Sequence, residues 1–147
     1  MAWRYRVRQR HGRHPDGSTL VIAESFAGRL SAFDIGQDGS LSGRRTWAAG
    51  LGPDGICIDD AGGIWSQTAD TFAHTRVRGA PAGAVVRVLD GGEITHRVET
   101  DVPCFSCALG ADGRQLFLLC NEFEGVDQLK AVQARRSARI YVTDLPA

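Results

Sequence analysis

Short glycine-centred turns recur along this chain, each feeding a β-rich run, and their spacing constrains the fold more than any other feature. Asp16-Gly17 leads into residues 20–23, Ala61-Gly62 into 64–67, and Asp112-Gly113 into 116–120. From Asp16 to Asp60 is 44 residues, and from Asp60 to Asp112 is 52. A period of about 40–50 residues holding several short strands is the sequence pattern of propeller blades.

The pieces inside each period correspond. Arg29–Ile35 and residues 84–89 read as third strands. The turns Asp38-Gly39 and Asp90-Gly91-Gly92 follow them, with glycines able to take positive φ. Residues 41–48 and 93–99 then read as outer strands with polar alternation. Residues 55–59 and 105–109 are short and apolar, suited to innermost strands beside a central channel. Arg139–Asp144 reads as a final strand. Two stretches interrupt the rhythm: 69–83 is a loop longer than a hairpin needs, and 121–136 is another that could hold a helical turn or two. The expected fold is therefore all-β, with about three blades of roughly four strands.

Residues 1–14 differ from the rest, and 15–147 form the repeating part. Arg4, Arg6, Arg8, Arg10 and Arg13 stand there with His11 and His14, and no acidic residue precedes Asp16. Trp3, Tyr5 and Val7 alternate with the arginines, so an edge strand is the most structure this segment is expected to form.

Bulk composition excludes several classes. Lysine plus arginine equals aspartate plus glutamate at 17 each, which gives no reason to expect nucleic acid or an anionic membrane as partner. No apolar run approaches the ~20 residues that cross a bilayer, and no signal-peptide pattern opens the chain. The four cysteines are then expected to be reduced, and the cytoplasm is the expected compartment.

Pro53-Asp54-Gly55-Ile56-Cys57-Ile58-Asp59, followed by Ala61-Gly62-Gly63-Ile64-Trp65, resembles a signature of the senescence marker protein/gluconolactonase (regucalcin-like) family. So do Leu20-Val21-Ile22-Ala23-Glu24-Ser25, Arg29-Leu30-Ser31-Ala32-Phe33-Asp34-Ile35, residues 38–45 and Cys104-Phe105-Ser106-Cys107. The resemblance runs from about Pro15 to about Phe123, in the order of motifs found in the second half of such a protein. It implies part of a six-bladed β-propeller and a metal-dependent hydrolase that opens small-molecule (sugar) lactones. It also implies that Asp54 is both a metal ligand and the catalytic group that exchanges a proton with the lactone.

A carboxylate facing a channel is a hard oxygen ligand suited to Ca²⁺, Zn²⁺, Mn²⁺ or Mg²⁺. Against this stands an ordinary reading, in which Asp54 only caps a turn before glycine, as Asp16 does in Pro15-Asp16-Gly17. The family's other ligands, a Glu from the first blade and an Asn from mid-chain, have no counterparts here. Asn121 is the only asparagine, and it follows the last inner strand. Little lactonase turnover and only weak metal binding are therefore expected of this chain alone. The competing reading is a non-catalytic propeller half that binds a partner, or its own copy, through open propeller faces.

The remaining motifs carry less. Cys104 and Cys107 have CxxC spacing, but one pair is half a zinc site, and residues i and i+3 of a regular strand point to opposite faces. Buried cysteines acting as small hydrophobes are expected there and at Cys57 and Cys120. His11, His14, His74 and His96 lack zinc spacing. Residues 34–45 have a faint EF-hand pattern that ends in Arg45 where the loop needs Glu. Glu24 and Glu122 read as blade-end charges.

Overall fold

The computed structural model describes residues 11–72, 81–122 and 129–145. Among them, eleven strands form three separate antiparallel sheets in which each strand pairs with its neighbour in sequence. β1 (His11–Arg13), β2 (Thr19–Glu24), β3 (Arg29–Ile35) and β4 (Leu41–Ala49) make the first. β5 (Cys57–Ile58), β6 (Ile64–Gln67), β7 (Gly83–Val88) and β8 (Ile94–Thr100) make the second. β9 (Cys104–Leu109), β10 (Gln115–Cys120) and β11 (Arg139–Asp144) make the third. Ile22, Ile64 and Leu118 fall in β2, β6 and β10, the second strand of each sheet, which is the equivalence that the 44- and 52-residue spacings require.

The hairpins form where aspartate and glycine occur together. Asp16, Asp38 and Asp112 each accept, through Oδ1, the backbone N–H two residues on, at 2.8–3.0 Å. Gly39 sits at φ 81°, and Gly91 and Gly92 at 93° and 90°, conformations that a side chain would strain.

Packing of the sheets follows the period-2 alternation of strands. One face of the first sheet (Val21, Ala23, Leu30, Ala32, Ala48) packs on Ile64, Val86 and Val88 of the second, together with Trp47 and Leu51. The opposite face of the second sheet, with Trp65 and Val85, packs on Cys104, Cys107, Leu116, Leu118 and Cys120 of the third. The middle sheet is thus covered on both sides, and every residue of β6 is buried. Polar ties cross between blades as well. Gly91 N–H donates to Trp47 O at 3.0 Å, and Arg45 meets Asp90 at 3.5 Å.

Three details depart from the sequence reading. The third sheet has three strands among the described residues, where about four were expected. β5 is shorter than 55–59, because Gly55 leaves its own sheet to form a parallel bridge with Ser106, and Asp59 turns away to accept the N–H groups of Ala61 and Gly63. His11–Arg13 forms an edge strand, within what the sequence reading allowed, with His11 opposite Ile22 and Arg13 opposite Leu20; residues 1–10 lie outside the described residues. Cys104 and Cys107 share one face. The pairing slips between Leu119 and Cys120, with Leu119 opposite Ser106 but Cys120 opposite Cys104, so the bulge absorbs Phe105 and turns both thiols into the same core. Of the two interrupting loops, 73–80 and 123–128 lie outside the described residues; what is described includes a short 3₁₀ turn, Ala69–Phe72, and the helix α1 (Leu129–Arg135).

Candidate functional site

Pro53-Asp54-Gly55 directly precedes β5, the edge strand of the second sheet, where that sheet meets the third. Pro53 and Gly55 are buried and Asp54 is half-buried. Two sets of bonds hold the turn. From the third sheet, Phe105 O accepts the Gly55 N–H at 2.9 Å, and Cys107 N–H donates to Gly55 O at 3.3 Å. The approach is close enough that a Cβ on Gly55 would collide with Ser106, so a glycine is required here.

From behind, the carboxamide of Gln67, fully buried at the end of β6, spans the turn. Its Oε1 accepts the Asp54 N–H at 2.9 Å, and its Nε2 donates to Gly55 O at 2.9 Å. Gln67 O also accepts the Gly52 N–H at 3.0 Å. A flat side chain with one acceptor and one donor meets two opposite backbone groups, the Asp54 N–H and a Gly55 O that it shares with the Cys107 N–H, and leucine could do neither. Sequence reasoning missed Gln67. Its signal was a glutamine two residues after the apolar pair Ile64-Trp65 in a short run expected to be a strand, where a buried uncharged polar side chain needs a partner.

Other sequence candidates turn out to be structural. Glu24, with its side chain 13% exposed, accepts from Ser31 Oγ at 2.6 Å, Arg29 at 2.9 and 3.1 Å, and Arg44 at 2.6 Å. Burial pushes its carboxyl upward, but these three donors outweigh it and hold Glu24 below the usual glutamate range. Asp59 is likewise held below the usual range, with burial outweighed by Arg87 and the backbone N–H groups of its turn. Asn121 spends its side-chain carbonyl on Ser137 Oγ at 2.6 Å.

Among the described residues, no three His, Cys, Asp or Glu side chains gather where they could hold a metal ion. Asp54 can supply at most two of the roughly six to eight oxygens that Ca²⁺ takes or the six that Mg²⁺ takes. The residues described therefore do not fit a complete divalent-metal centre.

Residues 12–121 match the family model described as the SMP-30/Gluconolactonase/LRE-like region. The chain belongs to this family. Solved structures with similar folds include a luciferin-regenerating enzyme, 15% identical with a TM-score of 0.67, matched over 90% of this chain and 43% of its own. Another is regucalcin from Agrobacterium tumefaciens strain C58, titled a calcium-binding protein, at 21% identity and TM-score 0.64, over 89% of this chain and 43% of that one. A gluconolactonase from Xanthomonas campestris matches at 23% identity and TM-score 0.60, over 76% and 34%. The TM-scores establish a common fold, and the three sheets of this family member correspond to part of a six-bladed β-propeller. The chain spans less than half the length of each of these structures.

Proposed function

We propose that this chain carries one side of a lactone-hydrolysing centre in which Asp54 is the proton-exchanging carboxylate. The observation that carries this reading is the clamped turn. Asp54 directly precedes the first strand of a blade in a chain of the gluconolactonase-like family, and Gln67 from that blade and Phe105 and Cys107 from the next hold the Asp54-Gly55 backbone. A carboxylate on so constrained a backbone can accept a proton from the water that attacks the lactone carbonyl. It returns that proton to the ring oxygen as the acyl–oxygen bond breaks, leaving a hydroxy acid. Asp54 alone does not make a metal centre among the described residues. Ca²⁺, Zn²⁺, Mn²⁺ or Mg²⁺ would bind this chain weakly, with further ligands coming from outside the described residues.

The test has two parts. Calorimetric titration of the 147-residue chain with each cation should show no tight stoichiometric site, and turnover of a sugar lactone should be slight. Joined to the N-terminal half of a related propeller, the chain should gain activity that Asp54→Ala lowers by about 10²–10⁴-fold, the usual contribution of a positioned acid–base. Undiminished turnover in that variant would end the catalytic assignment. A micromolar site in the isolated chain that vanishes with Asp54→Ala would end the claim of a ligand deficit.

A second reading, a binding module that self-associates, is favoured by one surface. Phe117, Leu119, Ala108, Ile140 and Val142 share the face of the third sheet opposite its core, and Leu119, Ile140 and Val142 are 44%, 67% and 51% exposed.

A further inference from the structure

All four cysteines are free thiols, and they fall into two pairs with different access to solvent. Cys104 and Cys120 are cross-strand partners in the third sheet, and both are buried. Cys57 and Cys107 belong to different sheets. Cys57 opens β5 and is half-exposed, whereas Cys107 lies in the middle of β9 and is buried. Their Sγ atoms are 3.5 Å apart. The backbones that carry them are already joined by the Gly55–Ser106 bridge and the bonds of Gly55 to Phe105 and Cys107. A disulfide needs an S–S distance of about 2.05 Å, so closure asks for a movement of roughly 1.5 Å, within reach of side-chain rotation.

We infer that Cys57 and Cys107 are an oxidisable dithiol that locks the second blade to the third, with a low-molecular-weight disulfide as the oxidant. Two sulfurs without a third ligand are too few for a structural zinc site, but they suffice for thiol–disulfide exchange. The half-exposed partner reacts first: Cys57 thiolate attacks one sulfur of the oxidant, forming a mixed disulfide and expelling the other half as a thiolate. Cys107 then loses its proton to solvent, and its sulfur attacks Cys57 Sγ, expelling the second half. Two electrons pass from the protein to the oxidant, one protein S–S bond forms, and two small thiols are released. The reverse order is disfavoured. Contact with Cys57 and burial raise the Cys107 thiol well above its ordinary range, and its S–H also faces Trp65 O at 3.4 Å and Gly55 O at 3.5 Å. Because Gly55 O is also bonded to Gln67, the lock sits directly behind the Asp54 turn.

The reduced 147-residue chain, dilute and folded, is incubated with oxidised glutathione, and free thiols and intact mass are followed. Two of the four thiols should disappear with loss of two hydrogens and no retained glutathione, and dithiothreitol should restore them. Cys107→Ser should stop at one retained glutathione, Cys57→Ser should not react, and Cys104→Ser should behave like the parent chain. Should the Cys107 variant fail to fold, fragmentation of the cross-linked peptide from the unaltered chain decides between Cys104 and Cys107. Survival of all four thiols, accumulation of glutathionylated parent chain, covalent dimers, or a bond through Cys104 or Cys120 would each overturn the inference.

Discussion

At the scale of single residues, the candidate site depends on a side chain that takes no part in the chemistry. Gln67 answers two buried backbone groups at once, the N–H of Asp54 and the carbonyl of Gly55. Gln67→Leu keeps a comparable volume but leaves the Asp54 N–H without this acceptor, at a cost of about 1–3 kcal/mol, and leaves Gly55 O to the Cys107 N–H, at a further loss of about 0.5–1.5 kcal/mol. Urea unfolding should therefore show a loss of roughly 1.5–4.5 kcal/mol. Gln67→Glu keeps the acceptor for the Asp54 N–H but faces Gly55 O with a second acceptor, so it should also destabilise. A loss below about 0.5 kcal/mol for the leucine variant, the range of ordinary surface changes, would show that water replaces the clamp. Glutamine was legible as an oddity in a buried strand; its partners were not, since they lie 12 and 13 residues away on the other side of a turn.

At the scale of elements, the first blade is bound together by charge as well as by its ladder. Glu24 at the end of β2 gathers Arg29 and Ser31 from β3 and Arg44 from β4. Its folded-state pKa lies below the ordinary glutamate value of 4.5, so the unfolded chain binds the proton more readily. The stability this group contributes is then fully present above about pH 5 and is lost as the pH falls through the depressed folded value. Asp59, held below the ordinary aspartate value of 3.8, adds a loss of the same sign at still lower pH. In denaturant titrations from pH 7 to pH 3, Glu24→Gln should reduce stability at neutral pH and flatten the decline below pH 5. An unchanged slope would mean that the cluster is equally formed in the unfolded chain. From the sequence, Glu24 was a charge after an apolar strand; only the hairpins β2–β3–β4 bring its three donors to it.

At the scale of the whole molecule, a propeller sheet is stable when both of its faces are covered, and the middle sheet here meets that condition. The third sheet buries one face and, among the described residues, presents Ala108, Phe117, Leu119, Ile140 and Val142 on the other. An exposed apolar sheet face next to an outer strand invites association. Sedimentation of the chain at rising concentration should give a mean mass above the 15.8 kDa of one copy, and Val142→Lys, which places a charge on the exposed edge strand of that face, should return it to one. A single-copy mass at every concentration would set the self-association reading aside.

Blade spacing, turn positions and most strands followed from sequence alone, because hairpins are local. Glycine and aspartate set the turns, and alternating apolar residues set the faces of the strands between them. Arg29–Ile35 and Arg139–Asp144 form as strands over the expected residues for that reason. Asp54 was legible through its Pro-Asp-Gly context and its family resemblance. What depends on contacts between blades was decided only by the tertiary structure. A one-residue bulge reverses the face of everything beyond it, which is how Cys104 and Cys107 come to share a core. The parallel bridge at Gly55 shortens β5, places Cys57 beside Cys107 across 50 residues of chain, and leaves Gln67 to close the turn from behind. Such pairings join segments with no shared local pattern, so nothing in either segment alone announces them.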